Sequence, residues 1–407
     1  MEYFLQFLLV SWLSEFYKNM KMQIIILGST GSIGKSLINI LEKDKKNFEV
    51  VLLAVNKNTK ELLKQVTKFK VKNVIISDLT HFLKFKKKFR NKNINIFNDF
   101  ESLNEILKKK NIDYTMNAIT GLAGLDPTLK TIQFTKNIAI ANKEAIICGW
   151  TLIAKELIKN KTRFIPIDSE HFSIWSLINN AKNSDIEKVF ITASGGPFHD
   201  YPLNRFKSIT KKLALKHPNW KMGQKITIDS ATMMNKVFEI IEAKKIFDLD
   251  YNKLSILVHP KSYVHALIKF TNGLTKILIH DTNMIIPIFN SLYPNFKKKI
   301  KSKNLDMNIL NNLNFSEIDY KRFPVVKILN NLPNNHSLFE TVLVAANDQL
   351  VNMFLNNKIK FLDISKNLLK IMRSKEFKKY KGITPRNVAQ IEQLSNYVSL
   401  KISSISI

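Results

Sequence analysis

Gln23-Ile-Ile-Ile-Leu27 runs straight into Gly28-Ser-Thr-Gly31-Ser-Ile-Gly34, after which Leu37, Ile38 and Leu41 recur at helical spacing. A short β-branched apolar run, a glycine turn and a helix start form the opening βα unit of a parallel sheet. The turn presents bare backbone N–H groups beside the positive end of a helix dipole, a combination suited to a pyrophosphate. Its spacing, G-x-x-G-x-x-G, is a variant of the dinucleotide fingerprint; a turn serving only tight βα packing is the alternative reading. Further buried-strand candidates follow at residues 50–55, 74–76, 114–118 and 138–141, with charged helical stretches between them. That alternation is what a doubly wound parallel sheet requires.

The end of the second strand selects the dinucleotide. An NAD site offers Asp or Glu there to the ribose hydroxyls, whereas this chain offers Val55-Asn56-Lys57-Asn58. With a lysine to attract a 2′-phosphate and no carboxylate in the segment to repel it, NADPH is the expected cofactor.

Beyond residue 164 the pattern changes to strands, expected at 189–192, 226–228 and 254–258, separated by loops rich in Gly, Pro, Ser and His. A Lys/Asn-rich connector follows residue 294, and from about residue 320 Leu, Ile, Val and Ala recur at three and four, as in helices. The expected fold class is α/β: an N-terminal doubly wound, Rossmann-like domain, an α+β catalytic domain and a C-terminal helical domain. The boundaries read as an extension over 1–21, a dinucleotide-binding domain over 22–167 and a catalytic domain over 168–293 with a lid at 217–223. A connector over 294–319 and a helical domain over 320–407 complete the chain.

The chain has 407 residues, 45% of them hydrophobic and 24% charged, which fits several folded domains and excludes general disorder. One cysteine excludes a disulfide framework and thiolate metal clusters, and fits a reducing, cytoplasmic location. Subtracting 33 Asp and Glu from 63 Lys and Arg leaves +30. The lysine runs at 86–88, 108–110 and 297–299 lie in separate segments, so no nucleic-acid partner is expected. Neither is a membrane partner, since no apolar run reaches the roughly 18–20 residues of a span. The stretch 3–13 lacks the basic start and small-residue cleavage site of a leader. Met20 and Met22 immediately precede the first strand, so the first twenty or so residues read as an extension outside the fold.

Ile165-Pro-Ile-Asp168-Ser169-Glu170-His171 places carboxylates at i and i+2, which at a strand end face the same way and can grip a hard cation, Mg²⁺ or Mn²⁺. A capping box or solvated turn is the bland alternative. Asp229-Ser230-Ala-Thr-Met-Met-Asn235-Lys236-Val-Phe-Glu239 strengthens the metal reading. On a helix starting near Ser230, Asn235, Lys236 and Glu239 share a face that can supply a third carboxylate and a phosphate clamp. Ala193-Ser194-Gly195-Gly196-Pro197-Phe198 is a candidate phosphate nest. His217-Pro218-Asn219-Trp220-Lys221-Met222-Gly223 has the makeup of a lid that excludes water. His259, His265 and the lone Cys148 read as structural.

Taken in order from about Lys21 to the C-terminus, these motifs resemble the 1-deoxy-D-xylulose 5-phosphate reductoisomerase family. The resemblance also rests on Ala141-Asn-Lys-Glu144 and His259-Pro-Lys-Ser. It implies a V-shaped homodimer of three-part subunits: an NADPH domain, a catalytic domain and a four-helix domain. It implies a Mg²⁺- or Mn²⁺-dependent rearrangement of the sugar phosphate and reduction by NADPH to 2-C-methyl-D-erythritol 4-phosphate, in the route to isoprenoids. By resemblance, Asp168, Glu170 and Glu239 are metal ligands and, with Lys143, catalytic. Lys143, Ser169, Glu170 and Glu239 meet the substrate, as do Ser194, His217, Ser230, Asn235 and Lys236. Trp220 and Met222 belong to the lid. Thr30, Gly31, Ser32, Ile33, Asn56, Lys57, Asn58, Asn142, Glu144 and Gly223 line the cofactor site, Asn56 standing where glycine is common.

Two rival readings compete. A semialdehyde dehydrogenase shares the glycine turn but needs an acylating cysteine, for which only Cys148 is available. A basic nucleic-acid-binding protein on a nucleotide fold would show steep salt dependence.

Overall fold

The computed structural model describes residues 21–89, 93–108, 111–178, 181–220, 222–294 and 298–404. The expected extension, apart from Lys21, lies outside the described residues, as do Lys109, Lys110, Lys221 and Lys297.

Seven strands form the first sheet: β1 (Met22–Leu27), β2 (Phe48–Val55), β3 (Asn73–Ile76), β4 (Asn95–Phe97), β5 (Ile112–Asn117), β6 (Thr135–Ile140) and β7 (Arg163–Pro166). Their order is β4-β3-β2-β1-β5-β6-β7, and every neighbouring pair is parallel. Burial on both faces explains why β1 reads as an unbroken apolar run: Ile24 and Ile26 enter one core, Ile25 and Leu27 the other. β4 and β7 were not anticipated as strands, because each is short and opens on an exposed residue.

The turn after β1 enters α1 (Ser32–Lys43), and its glycines differ in purpose. Gly28 has φ +79°, and a Cβ there would lie 2.6 Å from the Ala118 carbonyl. At Gly34 a Cβ would lie 2.4 Å from the Gly28 carbonyl oxygen. Both are required by packing. Gly31 has φ −73°, and the nearest atom to its Cβ would be at an ordinary 3.4 Å. Packing does not demand glycine at 31.

The second sheet has the order β11-β10-β8-β9, built from β8 (Ile186–Ala193), β9 (Leu254–Val258), β10 (Val264–Phe270) and β11 (Thr275–Ile279). β8 and β9 are parallel, and β10 runs antiparallel to β8 and β11. Residues 226–228, expected as a strand, are helical instead. Their consecutive β-branched side chains, Ile226-Thr227-Ile228, carry strand propensity, but Ile228 is buried in the main core and that packing overrides it.

α2 (Lys143–Asn160) follows β6, α3 (Ser169–Ile178) follows β7, and α4 (Gln224–Ala231) and α5 (Met234–Phe247) lie between β8 and β9. Ile174 and Leu177 of α3 and Ile240 and Ala243 of α5 pack on the second sheet. The C-terminal segment is helical: α6 (Phe339–Leu355), α7 (Phe361–Arg373), the short helix Lys375–Lys378 and α8 (Val388–Ser403). Spacings of three and four set their buried faces, as in Ile391, Leu394, Val398 and Ile402 of α8. One core joins Ile146 and Ile153 of α2, Val237 and Ile241 of α5 and Leu343 and Leu350 of α6. The helix Ile285–Leu292 returns to the first sheet's core through Ile288 and Leu292. Tyr114 and Ser291 share a 2.7 Å hydroxyl hydrogen bond, and the Tyr293 hydroxyl donates to Asp44 at 2.8 Å.

The two classes of glycine predict different outcomes. Gly34→Ala is expected to cost about 1–3 kcal/mol in chemical denaturation, because backbone must move. Gly31→Ala should cost under about 1 kcal/mol, the scale of an altered helix cap.

Candidate active site

Parallel strands bring their carboxyl ends to one edge, and the strand order reverses between β1 and β5, where open α/β sheets bind ligands. Thr30, Gly31, Ser32 and Ile33 lie in the turn and first residues of α1 after β1. Asn142 follows β6 and caps α2: its Oδ1 accepts the Ala145 N–H at 2.9 Å, and its Nδ2 donates to the Ile119 and Gly121 carbonyls at 2.5 Å each. This capping fixes the two residues that follow it. Lys143 turns toward the carboxylates, and Glu144 turns to Lys225, 2.5 Å away.

After β2, Asn56 donates to the Ser77 hydroxyl at 2.9 Å, and Asn58 caps the helix Thr59–Phe69 by accepting from the Glu61 N–H at 3.2 Å. Lys57 is two-thirds exposed and lies 3.8 Å from Asp78. A carboxylate is therefore close after all, contributed by the end of β3, where the β2 segment alone could not reveal it. A hydrogen bond from His81 holds Asp78 below the ordinary carboxylate range.

Asp168, Glu170 and Glu239 each bring an oxygen within 4.8 Å of the others. The first two do not share a strand end, as their spacing suggested. β7 stops at Pro166, α3 starts at Ser169, and Glu170 sits in that helix's first turn, its N–H donating to Asp168 Oδ1 at 3.3 Å. Glu239 arrives from α5. Lys143 pairs with Asp168 and lies 3.4 Å from Glu239. Lys236 pairs with Glu170 and lies 2.5 Å from Glu239 Oε2 without the alignment of a hydrogen bond. Ser169 donates to Glu170 at 2.5 Å.

Burial opposes charge on both lysines, yet their carboxylate neighbours hold them above the ordinary lysine range. Burial would also raise Asp168, but Lys143 and His171 hold it well below its usual value. Burial, with the Glu170 charge beside it, pushes Glu239 up to about 7. Counting Glu242 beside Lys143, four carboxylates face two ammonium groups and the His171 ring and are under-neutralised, and an all-oxygen donor set fits a hard divalent ion such as Mg²⁺.

Ser230 does not begin the helix that carries Asn235, as the sequence suggested. It ends α4, and the chain breaks at Met233, whose φ is +69°. The break lets Ser230 meet His217 Nε2 at 3.0 Å while Asn235 and Lys236 open α5. The expected spacing then holds, with Asn235 donating to Glu239 at 2.5 Å. Ser194 lies 3.3 Å from the same imidazole nitrogen and accepts the Gly196 N–H at 3.1 Å. Gly196 has φ +63° and would place a Cβ 2.8 Å from the Ser230 carbonyl oxygen, so glycine alone lets this loop sit against α4. Hydroxyls, imidazole, amide and ammonium thus converge where an oxyanion could be held.

His217 Nδ1 accepts the backbone N–H groups of Asn219 at 3.2 Å and Trp220 at 3.0 Å. Asn219 in turn donates to Pro260 O at 2.7 Å and Ser262 Oγ at 2.9 Å. Trp220 meets His265 edge-on at 6.3 Å, and His265 stacks on His280 at 3.8 Å. Met222 is half-buried, and Gly223 caps α4. His259, read as structural, is buried against Phe315 and the Asn314 carbonyl. Cys148 is buried, and burial pushes its thiol up to about 12, unsuited to acylation.

Three groups escaped the sequence reading. Glu242 repeats the i, i+3 step from Glu239 and lies 3.6 Å from Lys143; burial pushes it up to about 7. His171 lies 3.2 Å from Asp168 and bonds the Glu239 carbonyl at 2.9 Å, and although burial opposes its charge, Glu242 and Asp168 raise it to about 9. Lys225 joins Glu144, Asp229 at 3.1 Å and Asp348 at 2.9 Å. The first two could have been found from spacing; Asp348 lies too far along the chain to be placed.

Three family models match the chain: "1-deoxy-D-xylulose 5-phosphate reductoisomerase" over residues 24–149, its "C-terminal domain" over 164–247, and "DXP reductoisomerase C-terminal domain" over 280–398. The chain is 62% identical over 386 residues, 95% of its length and all of the relative's, to the 1-deoxy-D-xylulose 5-phosphate reductoisomerase of Pelagibacter ubique. It is 38% identical to that of Clostridium kluyveri, covering 84% of this chain and 90% of the relative. Among solved structures it is similar to the Zymomonas mobilis enzyme in complex with NADPH, with 30% identity, TM-score 0.84 and coverage of 95% and 100% of the two chains. It is likewise similar to a reductoisomerase in complex with NADPH, fosmidomycin and magnesium, with 30% identity, TM-score 0.85 and coverage of 95% and 98%.

His217 is the titration test of this geometry. Burial, then Lys236, depress it to about 4, so in the folded protein the ring stays neutral until pH falls to about 4; the stability present above the ordinary 6.5 is lost progressively as pH falls from 6.5 to about 4. In histidine-labelled protein, the resonance that disappears in His217→Asn should titrate near 4. A midpoint near 6.5 would show that Nδ1 is not held as an acceptor.

Proposed function

The chain belongs to the 1-deoxy-D-xylulose 5-phosphate reductoisomerase family, and from that premise we propose how its residues divide the reaction. The protein is an NADPH- and divalent-metal-dependent enzyme that rearranges 1-deoxy-D-xylulose 5-phosphate and reduces it to 2-C-methyl-D-erythritol 4-phosphate. The observation that carries the assignment of roles is the oxygen cluster of Asp168, Glu170 and Glu239 within 4.8 Å, beside a separate hydroxyl, imidazole and lysine group.

In this reading, Asp168, Glu170 and Glu239 hold the ion, which fits their hard, under-neutralised oxygens. When bound, NADPH supplies the hydride and the ion polarises the substrate's oxygens. Ser194, Ser230, Asn235 and Lys236 bind the phosphate. Neutral His217 offers Nε2–H toward the same place, its Nδ1 already being an acceptor. Lys143 and Ser169 meet the hydroxyl end, where an ammonium stabilises charge developing on oxygen. Trp220 and Met222 cover the substrate and exclude water. Residues 30–33, 56–58, 142, 144 and 223 line the cofactor site, and the glycine at 31 is the feature that packing leaves free for the pyrophosphate. Residues 22–167 serve as the cofactor domain, 168–293 as the catalytic domain and 320–407 as the helical domain joined by 294–319.

Manganese is proposed as an alternative ion on the same donor chemistry. A cytoplasmic homodimer is also proposed. The buried, unpaired Cys148 suits a reducing compartment. The edge strand β11, where Ile277 is exposed next to the exposed Leu274 that precedes the strand, suits a partner. Among the described residues no helix is long and apolar enough to cross a membrane.

The direct test is NADPH oxidation in the presence of 1-deoxy-D-xylulose 5-phosphate. Turnover should require the sugar phosphate, stop with chelator and return with Mg²⁺; chelator-insensitive turnover would remove the metal from the mechanism. Glu239→Gln is expected to lower turnover more than about 100-fold while leaving NADPH affinity within about twofold, since the acid faces the ion rather than the dinucleotide. Lys57→Ala should raise KM for NADPH about two- to tenfold, a modest effect because the lysine is exposed and shared with Asp78. KM for NADH, which lacks the 2′-phosphate, should stay within about twofold at matched ionic strength. Equal losses for both cofactors would assign Lys57 to the fold or the adenine pocket.

A further inference from the structure

Glu242 is 2% exposed and lies on the same face of α5 as Glu239. Its Oε2 lies 3.6 Å from Lys143 Nζ and 3.9 Å from His171 Nδ1 and makes no hydrogen bond among the described residues. It stands outside the group of oxygens that could share an ion. A fourth buried carboxylate beside three others raises the electrostatic cost of the site unless it has its own task.

The partners of Lys143 suggest that task. Its ammonium faces Asp168, Glu239 and Glu242, and the first two belong to the proposed metal set. A divalent cation and an ammonium cannot both sit on Asp168 and Glu239 at these distances without strong repulsion. Lys236 faces the same conflict on Glu170 and Glu239, but its charge also reaches His217, in the group proposed to bind the phosphate, so it has another direction open to it. Lys143 is nearly buried, so withdrawal to water is closed to it. One carboxylate in contact with it stays free of the ion.

We propose that Glu242 is a positioning residue that takes over the Lys143 ammonium when a divalent ion occupies Asp168, Glu170 and Glu239, keeping that ammonium beside the substrate instead of in competition with the ion. The proposal rests on the metal reading above. It makes the exchange of partners by Lys143 part of metal loading, with Glu242 as the receiving site.

The test measures binding of Mn²⁺ alone to the full chain, without substrate or NADPH, by calorimetry. Four proteins are compared: wild type, Glu242→Gln, Lys143→Met and the double variant. Without Glu242, Lys143 remains on two ligands, so Glu242→Gln should weaken Mn²⁺ binding about five- to thirtyfold. In the Lys143→Met background, where no competitor exists, the same change should cost less than about twofold. Unchanged affinity in Glu242→Gln overturns the proposal. So does an equal loss in both backgrounds, which would mean that Glu242 acts on the ion directly. Glu239→Gln separates this outcome from failure of the metal reading: if that variant binds Mn²⁺ as well as wild type, the ligand assignment itself falls. Should Glu242→Gln not fold, Glu242→Asp replaces it. Its retained charge is expected to keep affinity within about threefold of wild type, and a loss as large as that of Glu239→Gln would overturn the proposal.

Discussion

Like charges packed into a dry site repel, and the arrangement around Asp168, Glu170 and Glu239 follows from containing that repulsion. Two carboxylates with oxygens within 4.8 Å repel by about 3.5 kcal/mol or more at an effective dielectric near 20. Lys143, Lys236 and His171 offset most of this, and each is aimed by a local device. The Asn142 cap sets Lys143 at the start of α2, the left-handed Met233 lets α5 begin with Lys236 facing inward, and the start of α3 puts His171 a turn after Asp168. Because these groups have few alternatives for partners, removing any one leaves a buried charge exposed to its neighbours, a costlier event than losing a surface pair.

The two sheets contribute differently to this centre. The parallel sheet gathers chain ends from β1, β2, β5, β6 and β7 along one edge, where residues scattered from Gly28 to Asp168 are brought to the same side of the sheet. The second sheet is mixed, and its parallel pair β8 and β9 delivers Ser194 and His259 from adjacent strand ends. A shared apolar core behind α2, α5 and α6 keeps the two contributions in fixed relation. Preorganisation of this kind lets charged groups act without reorganising during the reaction.

The first sheet was legible because strands buried on both faces leave unmistakable apolar runs, and β1, β2, β3, β5 and β6 were found with ends off by a few residues at most. β4 and β7 carry too few buried residues to stand out, and β11 is exposed over most of its length. β10 is buried at all but one position, and its apolar run is interrupted only by His265 and Lys269. Residues 226–228 show the opposite failure, local strand propensity overruled by a helix that buries Ile228. The acidic trio and its lysines were identified by type and spacing, but their angles were not. A strand end and a single helix were assumed where the chain uses a helix start and a break at a non-glycine left-handed residue. Glu242 lay within reach of the same spacing argument, whereas the Asp348 contact with Lys225 depends on tertiary packing that no local pattern encodes.

The segment proposed as a lid is anchored on both sides of Lys221. Asn219 is tied to Pro260 and Ser262, the His217 ring holds the backbone behind Trp220, and just past Gly223 the Lys225 ammonium is bound to three carboxylates from two neighbouring helices and its own. Residues anchored this way, His217, Asn219 and Trp220 on one side and Lys225 on the other, have already lost conformational entropy when the chain folds. Covering a ligand then draws little of the association free energy into ordering the protein, leaving more of it to appear as affinity. An insertion between Asn219 and Gly223 would restore the lost freedom and tax every binding event, with no contact to the ligand itself removed.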